Sequence, residues 1–229
     1  MSNDKPNDKL ANKLPTGFSV FGVKPKDSIL VPESPIVLRN NCQSGQWTMG
    51  DMDMGSKLVM SPLKFSRFWG DLGQTKGVPF GQIWFVAEEG SSPDIPLATV
   101  MVTYVKSRNL SAFSQMVTTI QARGVEPATG LFIPEFVKQS GQKPDDNGIV
   151  KPINYYTLKW LWKERTDWSS LDRIAAVLAD PSNQSRMIDL ESTRHMICLD
   201  SLSAQEAQEI VSGAGVSALN PGVVKALPG

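Results

Sequence analysis

The sequence predicts a mainly β fold of the β-rich α+β kind, on three observations. Residues 153–165 alternate strictly: Tyr156, Leu158, Trp160 and Trp162 fall on one face, and Tyr155, Thr157, Lys159, Leu161 and Lys163 on the other. Two more apolar runs, 81–89 and 96–106, are strand-sized, and the second is rich in β-branched residues. Six tryptophans and nine phenylalanines against three tyrosines make an aromatic load that suits a sheet.

Taken in order, residues 1–17 are polar and almost free of large apolar groups, which predicts a disordered segment. Phe18, Val20, Phe21 and Val23 read as a lead-in strand or packing arm. Short runs at 35–39 and 46–49 have the length of strands. Residues 57–60 read as another, interrupted by Pro62. The strand at 81–89 is followed by a turn at 88–94 and the strand at 96–106. The period then changes. Asn109 has the chemistry of a helix cap, Leu110, Phe113, Val117 and Ile120 lie three and four apart, and Gly124 is the stop. Strands 130–138 and 153–165 form a hairpin with one apolar face and one functional face. Its polar loop, 139–153, holds Gly141, Pro144, Asp145, Asp146, Asn147, Gly148 and Pro152. Helices follow over 169–180 and from Ser203, where Ser203 and Glu206 have capping-box spacing, to about Ser212.

The chain therefore divides into a disordered segment (1–17), a β-barrel domain (18–168), a helical extension (169–212) and a flexible tail (213–229). The order strand, strand, strand, helix, strand, strand is that of an OB-like antiparallel Greek-key barrel with a helix between core strands 3 and 4, here with C-terminal helices added. A different β-rich α+β fold is the main competitor.

Composition narrows the function classes. Lys and Arg number 23, as do Asp and Glu, so the formal net charge is zero. A non-specific nucleic-acid binder is more often basic, so any such role must rest on local clustering of cations. No apolar run approaches the roughly 20 residues of a membrane span. Residues 1–15 carry no apolar signal-like core. Cys42 and Cys198 lie far apart and read as free thiols in a reducing cytoplasm.

Motifs for catalysis are missing. His195 is the one histidine, too few for a metal site, and three residues from Cys198 on a strand it points to the opposite face. Asp51 and Asp53 sit beside glycines and read as a turn. The run Asp145-Asp146-Asn147-Gly148 lacks the downstream Glu of a calcium loop. No phosphate-binding glycine loop, dinucleotide fingerprint or nucleophile elbow is present. The reading is a non-enzyme with no cofactor and no metal.

What remains is the interleaving of cations with rings. Lys64, Arg67 and Trp69 lie in one such segment. Lys106 and Arg108 follow Tyr104, and Lys138 follows Phe136. Tyr155, Lys159, Lys163 and Arg165 decorate the hairpin return. Single strands are held by cations on phosphates and by rings on which bases stack, each stack contributing about 1–3 kcal/mol. Aromatics on strands are more often core and lysines more often solvate a face. Trp160 and Trp162 are accordingly assigned to the core.

The block Tyr104-Val-Lys-Ser-Arg-Asn-Leu-Ser, the helix, Gly130-Leu-Phe-Ile-Pro and Tyr155-Tyr-Thr-Leu-Lys-Trp-Leu-Trp resembles an uncharacterised group of cyanobacterial and phage- or plasmid-borne proteins. In layout this region, about 30–168, is similar to OB-fold single-stranded DNA-binding proteins. The resemblance implies sequence-tolerant binding of single-stranded DNA, in preference to RNA, in replication, recombination or mobile-element maintenance. Bacterial single-strand binders often end in an acidic tail with a terminal Phe. This chain ends Val-Lys-Ala-Leu-Pro-Gly, so partner recruitment of that kind is not expected. Segment 169–212 has no counterpart in a minimal OB domain and is assigned to docking or to a homo-oligomer contact. The competing function is a protein–protein or structural module of a phage or mobile element.

Overall fold

The structure, a computed structural model, describes residues 28–144 and 148–213. The expected disordered segment, the lead-in at 18–23, the turn residues Asp145, Asp146 and Asn147, and all of the tail but Gly213 lie outside the described residues.

A small antiparallel sheet comes first: β1 (Arg39–Asn41), β2 (Gln46–Met49) and β3 (Met52–Asp53). The large sheet follows. β4 (Met60–Leu72) and β5 (Thr75–Ala87) form a 13-residue-per-strand hairpin, and β6 (Val100–Lys106) adds to β5. Helix α1 (Ser107–Gln121) and a 3-10 turn (Pro127–Thr129) lead to the hairpin of β7 (Leu131–Pro144) and β8 (Val150–Lys163). The extension holds α2 (Ser169–Ala179), α3 (Pro181–Arg186), α4 (Leu190–Thr193), β9 (Met196–Cys198) and α5 (Ala204–Val211). The large sheet runs β6-β5-β4-β7-β8, all antiparallel, with β9 beside the far half of β4.

The predicted class, β-rich with antiparallel sheets and helices, is the one observed, and a helix separates the third and fourth strands of the large sheet. Among the described residues no ladder joins β6 to β8, so backbone pairing does not close the sheet into a barrel. The gap is bridged from other elements. The Tyr156 amide donates to the Cys42 carbonyl (2.7 Å), the Leu158 amide to Asn109 Oδ1 (2.9 Å), and Asn40 Nδ2 to the Tyr104 carbonyl (2.6 Å).

Several local expectations need correction. β4 is not stopped by Pro62: the ladder to β5 slips between Pro62 and Lys64 and continues, a bulge absorbing the missing donor. Residues 139–144 and 150–153 are paired strand, not loop, so the β7–β8 ribbon is long and its turn short. The strand at 96–106 starts only at Val100, because Ala98 has φ 47° and breaks the extended run. Asn109 does not cap α1. It lies within the helix, buried, and its side-chain oxygen serves β8.

Two cores flank the large sheet. β5 is buried over 80–87 because both its faces are covered, which is why its sequence is a continuous apolar run. On one face Ile83 and Phe85 pack with Phe113, Phe132, Leu158, Trp160 and Trp47. On the other, Trp84 and Val86 pack with Val102, Tyr104, Val177 and Met187, so the extension docks on the sheet. Helix α1 approaches closely because residue 81 is glycine. A Cβ there would come within 2.7 Å of Leu110 and 2.8 Å of Phe65.

Candidate nucleic-acid interface

The ten candidates separate into three groups once β4 and β8 are placed. Both strands alternate cations with rings. They differ in what lies over them.

On β4 the register puts Lys64 opposite Trp84 and Arg67 opposite Gly81, so the two cations point to opposite faces. Lys64 Nζ faces the extension and donates to the Met187 carbonyl at 3.5 Å. Arg67 is fixed to the extension by Asp200. Its Nε donates to one carboxylate oxygen (2.8 Å) and its amide to the other (2.9 Å). Trp69 is half-buried with Pro79 and Ile197 as its strand partners. The expectation that Lys64, Arg67 and Trp69 share an open nucleic-acid surface is therefore corrected. Segment 187–200 folds back on this half of β4, pairs with Lys64 and Arg67 and leaves the Arg67 side chain 57% exposed.

Arg165 is corrected outright. It is 6% exposed. Its guanidinium donates to Glu88 Oε1 (3.3 Å), Ser170 Oγ and Ser61 Oγ, tying the start of β4, the end of β5 and the start of α2 together. Two residues beyond the last paired residue of β8, the alternation that placed it outward no longer holds.

The β8 group behaves as the alternation requires. Leu158 and Trp160 are buried, while Lys159 and Lys163 are exposed on the outer face with Tyr155 half-buried beside them. Trp160 Nε1 donates to the Asn109 carbonyl (3.0 Å) and Trp162 Nε1 to the Pro127 carbonyl (2.9 Å), so both indoles are anchored. Trp162 lies flat against Gly130, where any Cβ would collide with its ring at 2.3 Å. Lys138, exposed, pairs in register with Tyr156 and so lies on the opposite face of the ribbon from Lys159. Glu135 faces Lys159 directly across the ladder.

Arg108 reaches this group from the first turn of α1. Its Nη1 donates to the Tyr155 hydroxyl at 3.3 Å. A groove of about 410 Å³ then runs between α1 and β8, with Gln115, Thr119 and Arg123 on one wall and Lys159, Trp160 and Trp162 on the other. No carboxylate lines it among the described residues. Arg123 was not singled out from the sequence. Its signal was the helical spacing Arg108, Ala112, Gln115, Thr119, Arg123, a non-acidic stripe on the α1 face next to β8.

Lys106 is exposed and its ammonium donates to the Thr75 hydroxyl, across the sheet from the groove's lining residues. It borders a separate pocket with Arg39. Between Lys106 and Arg108, Ser107 takes φ 50°, a left-handed conformation a serine adopts at a cost.

Burial pushes the Tyr104 hydroxyl well above the ordinary phenol range. It accepts from Gln82 Nε2 (2.8 Å) and donates to Asp189 (2.9 Å). Burial likewise raises the Cys42 thiol, against a hydrogen bond from Asn109 Nδ2. Both cysteines are free. No group of three or more His, Cys, Asp or Glu stands close enough to hold a metal among the described residues. No described helix is long and apolar enough to cross a membrane.

No family model matches the chain, and comparison with curated proteins and with solved structures finds no match.

Proposed function

We propose that the chain is a non-enzymatic, sequence-tolerant single-stranded nucleic-acid-binding protein, DNA favoured over RNA, built on an open OB-like barrel. The observation that carries this is the groove between α1 and β8. Lys159 and Arg123 line it, two tryptophans form a wall without a carboxylate, and the Arg108–Tyr155 pair stands one helical turn before the lining residue Ala112. A phosphate backbone needs cations, and half-buried Tyr155 beside them offers a ring on which a base can stack. The strand order β6-β5-β4-β7-β8 with α1 between the third and fourth strands supports the OB-like reading, since β4 then sits between β5 and β7 as a Greek-key barrel requires. Lys163 extends the positive surface along the ribbon on the face of Lys159, while Lys138 lies on the opposite face.

Fluorescence anisotropy with labelled dT oligomers at low salt tests this. Binding is expected to weaken steeply with salt, as counterions released from phosphates demand. No binding at micromolar protein removes the proposal.

A second reading, a protein–protein module of a phage or mobile element, is favoured by one observation. Leu190 is 75% exposed and Trp168 56% exposed on the extension, and Val150 57% exposed on the ribbon. Self-association through the C-terminal helices would bury the first two. Size-exclusion chromatography that finds a large assembly indifferent to DNA would favour this reading.

A further inference from the structure

Beyond the groove, a second pocket lies between β1, the β4–β5 turn and the end of β6. It holds about 280 Å³, near the lower limit for small-molecule sites. Val37, Leu72 and Phe80 make its apolar side. Arg39 and Lys106 stand at its polar side, and no acid lines it. The Arg39 side chain is exposed and has no hydrogen bond or ion pair among the described residues. Lys106 is held by the Thr75 hydroxyl, itself a lining residue.

Two of the acids nearby are already engaged. Asp71 accepts from the Gly77 amide (2.9 Å) and pairs with Lys76 (3.2 Å). Asp189 accepts from the Tyr104 hydroxyl and from the Ser192 amide (3.0 Å). Glu33 and Glu191 belong to an adjoining outer chamber of about 550 Å³ that shares Arg39 and Ser192 with the pocket. An unpartnered guanidinium and an ammonium over an apolar wall fit a compact anion with a flat apolar body.

The pocket and the strand groove are separate and share no lining residue, but neighbouring residues of the chain lie near each. Lys106 borders the pocket and Arg108 pairs with Tyr155 on β8, with Ser107 between them at φ 50°. That one strained residue separates Lys106 at the pocket from Arg108 at Tyr155 of β8.

We propose that the pocket takes one phosphorylated nucleoside, its ring against Val37, Leu72 and Phe80 and its phosphate on Arg39 and Lys106. That this nucleotide is the phosphorylated end of a bound strand rests on the strand-binding reading above. The protein then prefers phosphorylated termini over internal sequence.

The test uses the full chain and three kinds of probe. Calorimetry measures adenosine 5′-monophosphate against adenosine. Anisotropy measures dT oligomers carrying a 5′-phosphate, a 3′-phosphate or neither. The monophosphate is expected to bind and adenosine not to. One phosphorylated oligomer is expected to bind about tenfold more tightly than the hydroxyl form, and which one shows the end that is read. Arg39→Ala, at an exposed position, should abolish that advantage with the circular dichroism spectrum intact, and Lys106→Ala should do the same. If adenosine binds as well as its monophosphate, or both variants bind the monophosphate undiminished, the proposal is overturned. If oligomers bind equally with or without phosphate and the monophosphate does not bind, the pocket inference falls and the strand groove stands. If the monophosphate binds and no oligomer does, the strand reading falls and the pocket stands as a site for a free nucleotide.

Discussion

β4 and β8 carry nearly the same chemical text. Each interleaves cations with aromatic rings, and each borders the same core through Phe65 or Trp160 packed on Phe113 (ring centroids 5.1 and 4.9 Å apart). Yet Arg67 of β4 is committed to Asp200 and Lys64 to a backbone carbonyl, whereas Lys159 and Lys163 of β8 face solvent. The difference is not in the strands. It lies in segment 187–200, which returns more than a hundred residues later to cover β4. Cations on a strand acquire fixed partners when later chain folds beside them, as Arg67 does with Asp200 while its side chain stays 57% exposed.

The largest expected effect tests the most buried cation. Arg165→Ala leaves Glu88 with the Ser61 hydroxyl but without its cation, and breaking a buried ion pair costs about 3–5 kcal/mol. Thermal unfolding should shift down by about 10 °C, given ~2–4 °C per kcal/mol in a chain of this size. A variant that keeps its midpoint and loses oligonucleotide binding would place Arg165 on the binding surface and break the comparison.

Asn109→Ala comes next. Its side-chain oxygen satisfies the Leu158 amide, one of few bonds across the open edge of β8. Leaving a buried amide unpaired costs about 1–3 kcal/mol. Amide exchange at Leu158 should accelerate sharply in the variant. Unchanged protection there would mean that the edge is held by other contacts.

Lys159→Glu combined with Arg108→Glu reverses charge at an exposed lining residue of the groove and at exposed Arg108, one helical turn before the lining residue Ala112. Affinity for dT oligomers should fall about ten- to a hundredfold at low salt, and the salt dependence should flatten. The thermal midpoint should move by no more than about 2 °C, since exposed substitutions rarely exceed ~0.5 kcal/mol. Arg67→Glu, with the same change of charge on β4, should leave affinity unaltered. Removing its exposed pair with Asp200 costs at most about 1 kcal/mol. Equal losses of affinity from both strands would erase the distinction.

Much of this was legible in the sequence, and the limits have physical causes. Period two on 156–162 assigned every face of that strand correctly, because it borders one core and one solvent boundary. The interleaving of cations and rings that singled out Lys64, Arg67 and Trp69 could not show the extension beside them, because an acid 133 residues away carries no local signal. Arg165 was misplaced for a related reason: alternation says nothing once the ladder ends. Asn109 has the side chain of a cap, and only the position of β8 explains why it is used inside the helix. The groove needed Arg123, which helical spacing contained but which the polar surface of α1 disguised.

The smallest effect concerns how the cover on β4 is fastened. Helix α5 begins with a capping box: the Ser203 amide donates to Glu206 Oε2 (2.8 Å) and the Glu206 amide to Ser203 Oγ (3.3 Å). Hydrogen bonds from the Ser203 side chain and backbone hold the Glu206 carboxyl below its ordinary value of 4.5. A depressed carboxylate stabilises the folded state fully above its unfolded value, and that contribution is lost as pH falls through the folded one. Far-ultraviolet circular dichroism between pH 7 and 3 should therefore show a small loss of helix in the native chain that Glu206→Gln lacks, other carboxylates titrating alike in both. The cover itself should not move. It is fastened to β4 by β9, by the Leu199 amide donating to the Arg67 carbonyl (2.8 Å), and by the Arg67–Asp200 pair. Protection of the Leu199 amide should persist in Glu206→Gln at neutral pH. If it is lost with the cap, α5 rather than β9 keeps β4 covered, and the contrast with β8 depends on one helix end.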